Sequence, residues 1–261
     1  MTEFQARYGP WAVVAGASEG LGAAFAETLA SRGINLVLVA RRPDPLAACA
    51  RGVEERHGVT AIAHALDLSD PAATLAFART LDQDIGLLVC NAAYSAVGHF
   101  THVAHEELNK ILSVNTQAPV TLVRELAPRL LDRGRGGIVL MSSLSGNQGS
   151  ANIATYAASK SFNTVLAEGL WQEFGEHGVD VVACCAGAIR TPGYQNAQAG
   201  IEAPGTLDPG EVVEDTLRAL GQSPVVVPGG TNKLAEFLMR RVLSRKAAVR
   251  LMSKNTRGLN G

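Results

Sequence analysis

Short apolar runs rich in β-branched residues recur along the chain and alternate with longer stretches of helical composition, and nothing else in the sequence constrains the fold as tightly. The runs lie at 12–15, 35–39, 59–65, 85–90, 137–142, 180–185 and 225–227, with helix-compatible segments between them at 20–32, 44–56, 71–82, 105–132, 151–175 and 208–221. Strands that are apolar on both faces must be covered on both faces, and covering helices between successive strands make those strands parallel. The pattern therefore predicts one doubly wound α/β domain: a seven-stranded, mostly parallel sheet with helices on both faces. No repeat or linker interrupts it over residues 1–230, and residues 231–261 read as a basic extension. Its one irregularity is a loop at 187–207 carrying Gly187, Pro192, Gly193, Gly200, Pro204 and Gly205, a length that marks lids and binding loops.

A hydrophobic fraction of 47% with 18% charged residues fits a globular chain with a large core, and no apolar run approaches the ~20 residues that span a bilayer. The start, Met1-Thr2-Glu3-Phe4-Gln5, has no basic segment followed by an apolar one, so a cytoplasmic location is expected. Cys49, Cys90, Cys184 and Cys185 show neither CxxC nor metal spacing and read as free, mostly buried thiols. Lys233, Arg240, Arg241, Arg245, Lys246, Arg250, Lys254 and Arg257 face only Glu236 in the tail, leaving the rest of the chain acidic. Read as one helix over 233–257, interleaved with Leu234, Phe237, Leu238, Val242, Leu243, Val249 and Leu251, the tail can pack on its own fold, dock on an acidic partner or lie against an anionic membrane.

Directly after the first strand comes Gly16-Ala17-Ser18-Glu19-Gly20-Leu21-Gly22, opening a helical run. A glycine turn between strand and helix lets the backbone approach a pyrophosphate, and the free N–H groups of the helix start favour an anion. Gly16-x-Ser18-x-Gly20 also matches a nucleophile elbow, in which Ser18 would attack an ester; that reading needs a late histidine, and the last one, His177, precedes the sixth strand. The second strand ends Ala40-Arg41-Arg42, where a carboxylate would read a ribose 2′-hydroxyl and arginine a 2′-phosphate. NADP(H) is therefore preferred, with NAD(H) possible.

Tyr156 and Lys160 stand four residues apart on a predicted helix, so the phenol and the ammonium share a face. A nearby cation stabilises phenolate, which would make Tyr156 a general acid-base. Thirteen residues earlier, Ser142-Ser143-Leu144-Ser145 closes an apolar strand, where a hydroxyl can hold a carbonyl oxygen beside the tyrosine. Asn115 lies inside the predicted helix 105–132, and Pro119, lacking an N–H, cannot bond its carbonyl.

Together these motifs resemble the short-chain dehydrogenase/reductase family, with its TGxxxGxG turn and Asn-Ser-Tyr-Lys tetrad, over residues 10–230. The resemblance implies a Rossmann-like domain and hydride transfer between nicotinamide and a carbonyl carbon. It implies Tyr156 as proton donor or acceptor and as a cofactor contact, Lys160 as the group that lowers the tyrosine pKa and bonds the nicotinamide ribose, Ser143 as the carbonyl-orienting hydroxyl and Asn115 as the holder of a relay water. Asp67 and Leu68 resemble the adenine contacts, and Asn91-Ala92-Ala93 the Asn-Ala-Gly segment with Ala93 in place of glycine. Gly187, Ile189 and Thr191 resemble the carboxamide-binding segment. Ala15 replaces the usual threonine of the turn and Ala186 the usual proline.

The opening Tyr8-Gly9-Pro10-Trp11 resembles the subgroup of 3-ketoacyl-CoA reductases and 17β-hydroxysteroid dehydrogenases, which implies a bulky hydrophobic ketone or secondary alcohol. Tyr94, Leu144, Gln148, Ile153 and Tyr194 are the candidate substrate-pocket residues. The family implies a homodimer or homotetramer paired through helices 105–132 and 151–175. His99, His102 and His105 recur every three residues but straddle a loop, and no metal is expected. Nor is nucleic-acid binding. A non-catalytic NADP(H) sensor on the same fold would be expected to lack Tyr156 or Lys160.

Overall fold

The computed structural model describes residues 2–197 and 202–256. The chain opens with helix α1 (Glu3–Tyr8), which the sequence reading did not foresee, although Thr2 and Gln5 form a reciprocal capping box at its start. Then follow β1 (Trp11–Ala15), α2 (Gly20–Ser31), β2 (Asn35–Ala40), α3 (Pro43–His57), β3 (Ala61–Ala65), α4 (Pro71–Thr80) and β4 (Ile85–Cys90). Sequence punctuation sets these boundaries. Pro43 and Pro71 occupy first turns, where no N–H is required, the Asp70 side chain accepts from the N–H groups of Ala72 and Ala73, and Gly58 ends α3 in the left-handed region.

The second half holds α5 (His105–Leu112), a π turn (Ser113–Gln117), α6 (Ala118–Arg133), β5 (Gly136–Ser143), a 3-10 turn (Leu144–Asn147), α7 (Ala154–Gly175) and β6 (Val179–Ala186). α8 (Pro192–Ala197) lies within the expected loop, of which residues 198–201 fall outside the described residues. α9 (Pro209–Ala219) and β7 (Val225–Val226) complete the sheet. The order is β3-β2-β1-β4-β5-β6-β7, and every pairing is parallel. Alternate strand residues feed two cores. Val14, Leu38 and Val139 face α2, α3 and α9, while Val13, Leu88 and Ile138 face α4, α6 and α7. Each leucine buried in this way contributes roughly 1.5–3 kcal/mol, and the sheet is held from both sides.

Two expectations are corrected. The helix expected over 105–132 is interrupted: the N–H of Ala118 reaches back five residues to the Ser113 carbonyl, inserting one extra residue around Asn115. The basic tail is two helices, α10 (Gly230–Phe237) and α11 (Arg245–Thr256), separated by a π turn and an extended Leu243. The break turns α11 back onto the domain, where Arg245 donates to the Asn147 carbonyl at 2.5 Å, Ser253 Oγ accepts from the Ala151 N–H, and Thr256 shares a hydrogen bond with Ser150. Arg257 lies outside the described residues. Tyr8 anchors the start of the chain: its hydroxyl donates to Asp180 on β6 at 2.7 Å beside the Arg7–Asp180 ion pair, tying α1 to the sheet.

Among the described residues no helix is long and apolar enough to cross a membrane.

Candidate active site

The chain builds β1, β2 and β3 outward in one direction and then returns to place β4 on the other side of β1. This reversal opens a crevice at the carboxyl ends of the two central strands, the position where doubly wound sheets bind ligands. A cleft of about 500 Å³ lies there. One end is formed by the glycine turn and the end of β2, the other by β5, α7 and the segment after β6.

At the first end, α2 starts so close to the turn that a Cβ on Gly22 would lie 1.8 Å from the Gly16 carbonyl oxygen. Asn91 fixes the same carbonyl with a hydrogen bond of 2.9 Å from its Nδ2. Gly16, Ser18, Glu19, Gly20 and Leu21 line the cleft, as do Arg41, Arg42, Asp67, Leu68, Asn91, Ala92 and Ala93. Gly22 sits behind them as packing. Arg42 is held by Glu19 at 2.6 Å, while Arg41 is exposed and makes no ion pair among the described residues. The Asp67 carboxylate accepts from the N–H and hydroxyl of Ser69, which hold it below the usual carboxylate range, with Arg41 and Lys110 adding to the effect.

At the inner end, Ser143 is the last residue of β5 and Tyr156 stands in the first turn of α7. Gly146 lets the intervening turn press against α7: a Cβ there would lie 2.8 Å from the Ser161 nitrogen. Ser145 donates to Ser143 Oγ at 2.9 Å, so the Ser143 hydroxyl is free to donate to the Tyr156 phenol. The neighbouring Ser142 is structural; its hydroxyl is spent on the Lys160 carbonyl and on Thr164.

Lys160 is buried, and its Nζ donates to the Met141 carbonyl at 3.0 Å and lies 5.6 Å from the Tyr156 ring centre. Burial pushes the Lys160 ammonium down to about 8. It also pushes the Tyr156 phenol above its ordinary value, and the opposing influence is the hydrogen bond from Ser143. Burial and the Ser143 hydrogen bond are thus the influences on the phenol, and the Lys160 ammonium, bonded to the Met141 carbonyl, stands beside its ring.

Asn115 is fully buried and does not line the cleft. Its amide accepts from the Tyr94 N–H at 2.7 Å and donates to the Tyr94 carbonyl at 2.9 Å and to Ser159 Oγ at 3.0 Å, joining the segment after β4 to α7. The side chain is a brace. The lack of an N–H at Pro119 remains a property of its backbone carbonyl.

Of the candidate pocket residues, Tyr94 and Tyr194 line the cleft and Leu144, Gln148 and Ile153 do not. Gln148 is buried and folded back onto the Leu144 carbonyl at 3.3 Å, and Ile153 is buried against Val103, Leu108 and Ile111. The Tyr94 hydroxyl bonds Glu107, and Lys110 stands 4.5 Å from its ring centre. Lys110 and Val114 line the cleft without having been foreseen, although their i, i+4 spacing just before Asn115 carried the signal.

Gly187, Ile189 and Thr191 lie along the opposite wall. The loop that follows is closed at its base: Arg190 grips Glu202 through two hydrogen bonds of 2.7 and 3.0 Å and also bonds Asp208, and Ile189 bridges to Leu207. Tyr194 accepts from the Ala203 N–H at 3.0 Å.

The parallel sheet removes the elbow reading of Ser18. Ser18 follows the carboxyl end of β1, whereas His177 precedes the amino end of β6, at the opposite edge of the sheet. A dinucleotide suits the residues present: a glycine cradle at a helix start, a free arginine at the outer end and buried polar groups at the inner one.

A family model described as short chain dehydrogenase matches residues 10–202. The chain belongs to that family. It is 30% identical over 233 residues to a 7beta-hydroxysteroid dehydrogenase of Clostridium sardiniense, covering 88% of this chain and 89% of that one. It is 33% identical over 186 residues to a very-long-chain 3-oxoacyl-CoA reductase of Laccaria bicolor, covering 69% and 55%. An inactive hydroxysteroid dehydrogenase-like protein 1 of Pongo abelii is 35% identical over 67% of this chain and 54% of its own. The chain thus spans about half the length of several curated relatives it matches.

Among solved structures, one from work on 7beta-hydroxysteroid dehydrogenase stereoselectivity superposes with a TM-score of 0.90 at 27% identity, covering 96% of this chain and 99% of that one. A short-chain dehydrogenase from Sphingobium yanoikuyae in complex with NADPH gives 0.75 at 32% identity, covering 84% and 87%.

Proposed function

We propose that the chain is an NADP(H)-dependent oxidoreductase that interconverts a bulky hydrophobic ketone and its secondary alcohol. The observation that carries the reading is one cleft with a free arginine at its outer end and Ser143, Tyr156 and Lys160 gathered at its inner end. A bound nicotinamide would supply or accept the hydride. Ser143 and the Tyr156 hydroxyl converge so that both can bond one carbonyl oxygen, and the phenol gives that oxygen its proton as the alcohol forms. Desolvation keeps the phenol protonated at neutral pH, the form in which it can give its proton to the carbonyl oxygen. Lys160, charged below about pH 8, offers its remaining N–H groups to ribose hydroxyls. Gly187, Ile189 and Thr191 would hold the carboxamide.

A bulky alicyclic substrate is supported by the names of the relatives and by Tyr194 on the cleft wall. Leu112, Val120, Phe162 and Val165, exposed on α5, α6 and α7, support pairing of two copies through those helices, which sedimentation would test.

The test is NADPH oxidation, followed by absorbance, with a panel of hydroxysteroid-type and other bulky ketones. Turnover that persists in Tyr156→Phe would overturn the mechanism. Nucleotide binding without turnover on any ketone would favour the sensor reading, to which the relative called inactive lends support.

A further inference from the structure

Six of the eleven large apolar side chains exposed among the described residues lie on the tail: Leu234 and Phe237 on α10, Leu238, Val242 and Leu243 at the break, and Leu251 on α11. Leu234, Phe237 and Val242 are more than half exposed. Leu234, Phe237 and Leu238 fall at three- and four-residue steps and share one side of the helix. Cations are interleaved with them. Lys233, Arg241, Lys246, Arg250 and Lys254 make no ion pair among the described residues, and Glu236, the one carboxylate of the tail, is taken by Arg240 at 3.0 Å. α11 turns back and buries Ala248, Ser253 and Thr256 against the domain, but the basic and apolar side chains stay outside.

We infer that this basic, apolar ridge docks the protein on an anionic lipid surface, its apolar side chains entering at the acyl boundary while its cations stay among the headgroups. Charge decides the sign of the partner. The unneutralised cations call for an anionic surface, and the acidic remainder of the chain is repelled by one, so this face alone is turned toward it. Shape decides its kind. The ridge bends at Leu243, which is extended between two helical segments, and a fluid headgroup layer receives a bent ridge without a matching groove. Cores of protein interfaces, by contrast, are matched in shape and depleted of lysine. A second copy is already assigned to the apolar side chains of α5, α6 and α7. No described helix is long and apolar enough to span a bilayer, so the contact is peripheral.

Flotation of the whole chain with phosphatidylcholine vesicles, with and without about one-third phosphatidylserine, tests this without turnover. The natural chain should float with the anionic vesicles and stay behind with the neutral ones, and its recovery should fall as salt rises. Arg241→Gln combined with Lys246→Gln should lower partitioning about ten- to thirty-fold. Phe237→Ser combined with Val242→Ser should lower it about ten-fold or more with every cation kept. All four side chains are exposed, and thermal melting checks that the variants fold. The comparison of the two vesicle compositions uses the natural chain alone and so holds even if a variant does not fold. Equal recovery with both compositions, recovery with neither, or binding that survives both double variants overturns the inference. So does an association between copies, seen by sedimentation, that the Phe237→Ser and Val242→Ser pair abolishes, because the face would then belong to a second copy.

Discussion

The two ends of the cleft each set a cation beside an acidic group, and solvent makes them behave differently. At the outer end, Arg42 and Glu19 meet at 2.6 Å in water, where such a pair is worth a fraction of a kcal/mol and is screened by salt. At the inner end, Lys160 and Tyr156 are taken out of water, and desolvation rather than mutual attraction dominates both: the ammonium is pushed down to about 8 and the phenol is pushed up. One end can be tuned by small steps; the other is switched on or off. Under the proposed function, nucleotide recognition and chemistry would lie in different dielectric surroundings along one cleft.

The inner end predicts the largest effects. Tyr156→Phe should lower turnover of the ketone about 10²–10⁴-fold while leaving NADPH affinity nearly intact, as read by steady-state kinetics and nucleotide fluorescence. A parallel loss in affinity would mean that the phenol holds the nucleotide as well. Lys160→Met should abolish turnover and weaken nucleotide binding, yet raise stability near pH 7 by about 1–3 kcal/mol, because a buried charge is exchanged for an apolar chain and Asn163 still donates to the Met141 carbonyl. Since the folded pKa of Lys160 lies below its unfolded value, the unfolded chain binds more protons between about pH 8 and the ordinary lysine range, and the natural protein gains stability as pH rises through that window. The advantage of the variant in denaturant titrations should shrink from pH 7 to pH 10. A constant advantage would show that Lys160 is not desolvated.

The same shift predicts that nucleotide affinity of the natural chain falls as pH rises through about 8, when Lys160 loses its charge. A flat profile to pH 9.5 would remove the contrast between the two ends. The smallest effect belongs to the outer end. Arg41→Ala should weaken NADPH about three- to ten-fold at low salt with little change for NADH, the difference narrowing as salt screens it. Loss of binding for both nucleotides alike would assign Arg41 a structural role.

Legibility in the sequence follows the range of the forces involved. Apolar strands, proline-started helices and the glycine turn declare themselves within a few residues, and Tyr156, Lys160 and Ser143 inherit their places from those elements. Contacts between segments distant along the chain were not legible. Nothing near Tyr8 announces Asp180, and nothing near Arg42 identifies Glu19 as its partner. Gln148 and Ile153 follow the serine cluster in sequence but point into the interior, because the 3-10 turn and the start of α7 swing them away from the cleft. The capping box of α1, by contrast, is local and legible in Thr2 and Gln5. The break in the tail was hidden by its steady basic-apolar pattern, which continues through Leu243 while the backbone does not.

The Arg190 clamp carries a consequence for how this scaffold can change. The two flanks of the loop after β6 are tied to each other and to α10: Arg190 reaches Glu202 and Asp208, Ile189 bridges to Leu207, and Asn232 holds the Gly205 carbonyl at 3.0 Å. Joining the two flanks in this way fixes where Thr191 and Tyr194 meet the cleft, so the span between Tyr194 and Glu202 can change in length or composition while the clamp and the cleft wall keep their positions. Under the proposed function, exchanging the residues between Tyr194 and Glu202 for those of a relative would alter which substrates are accepted while Arg190, Thr191 and Asp208 keep their places.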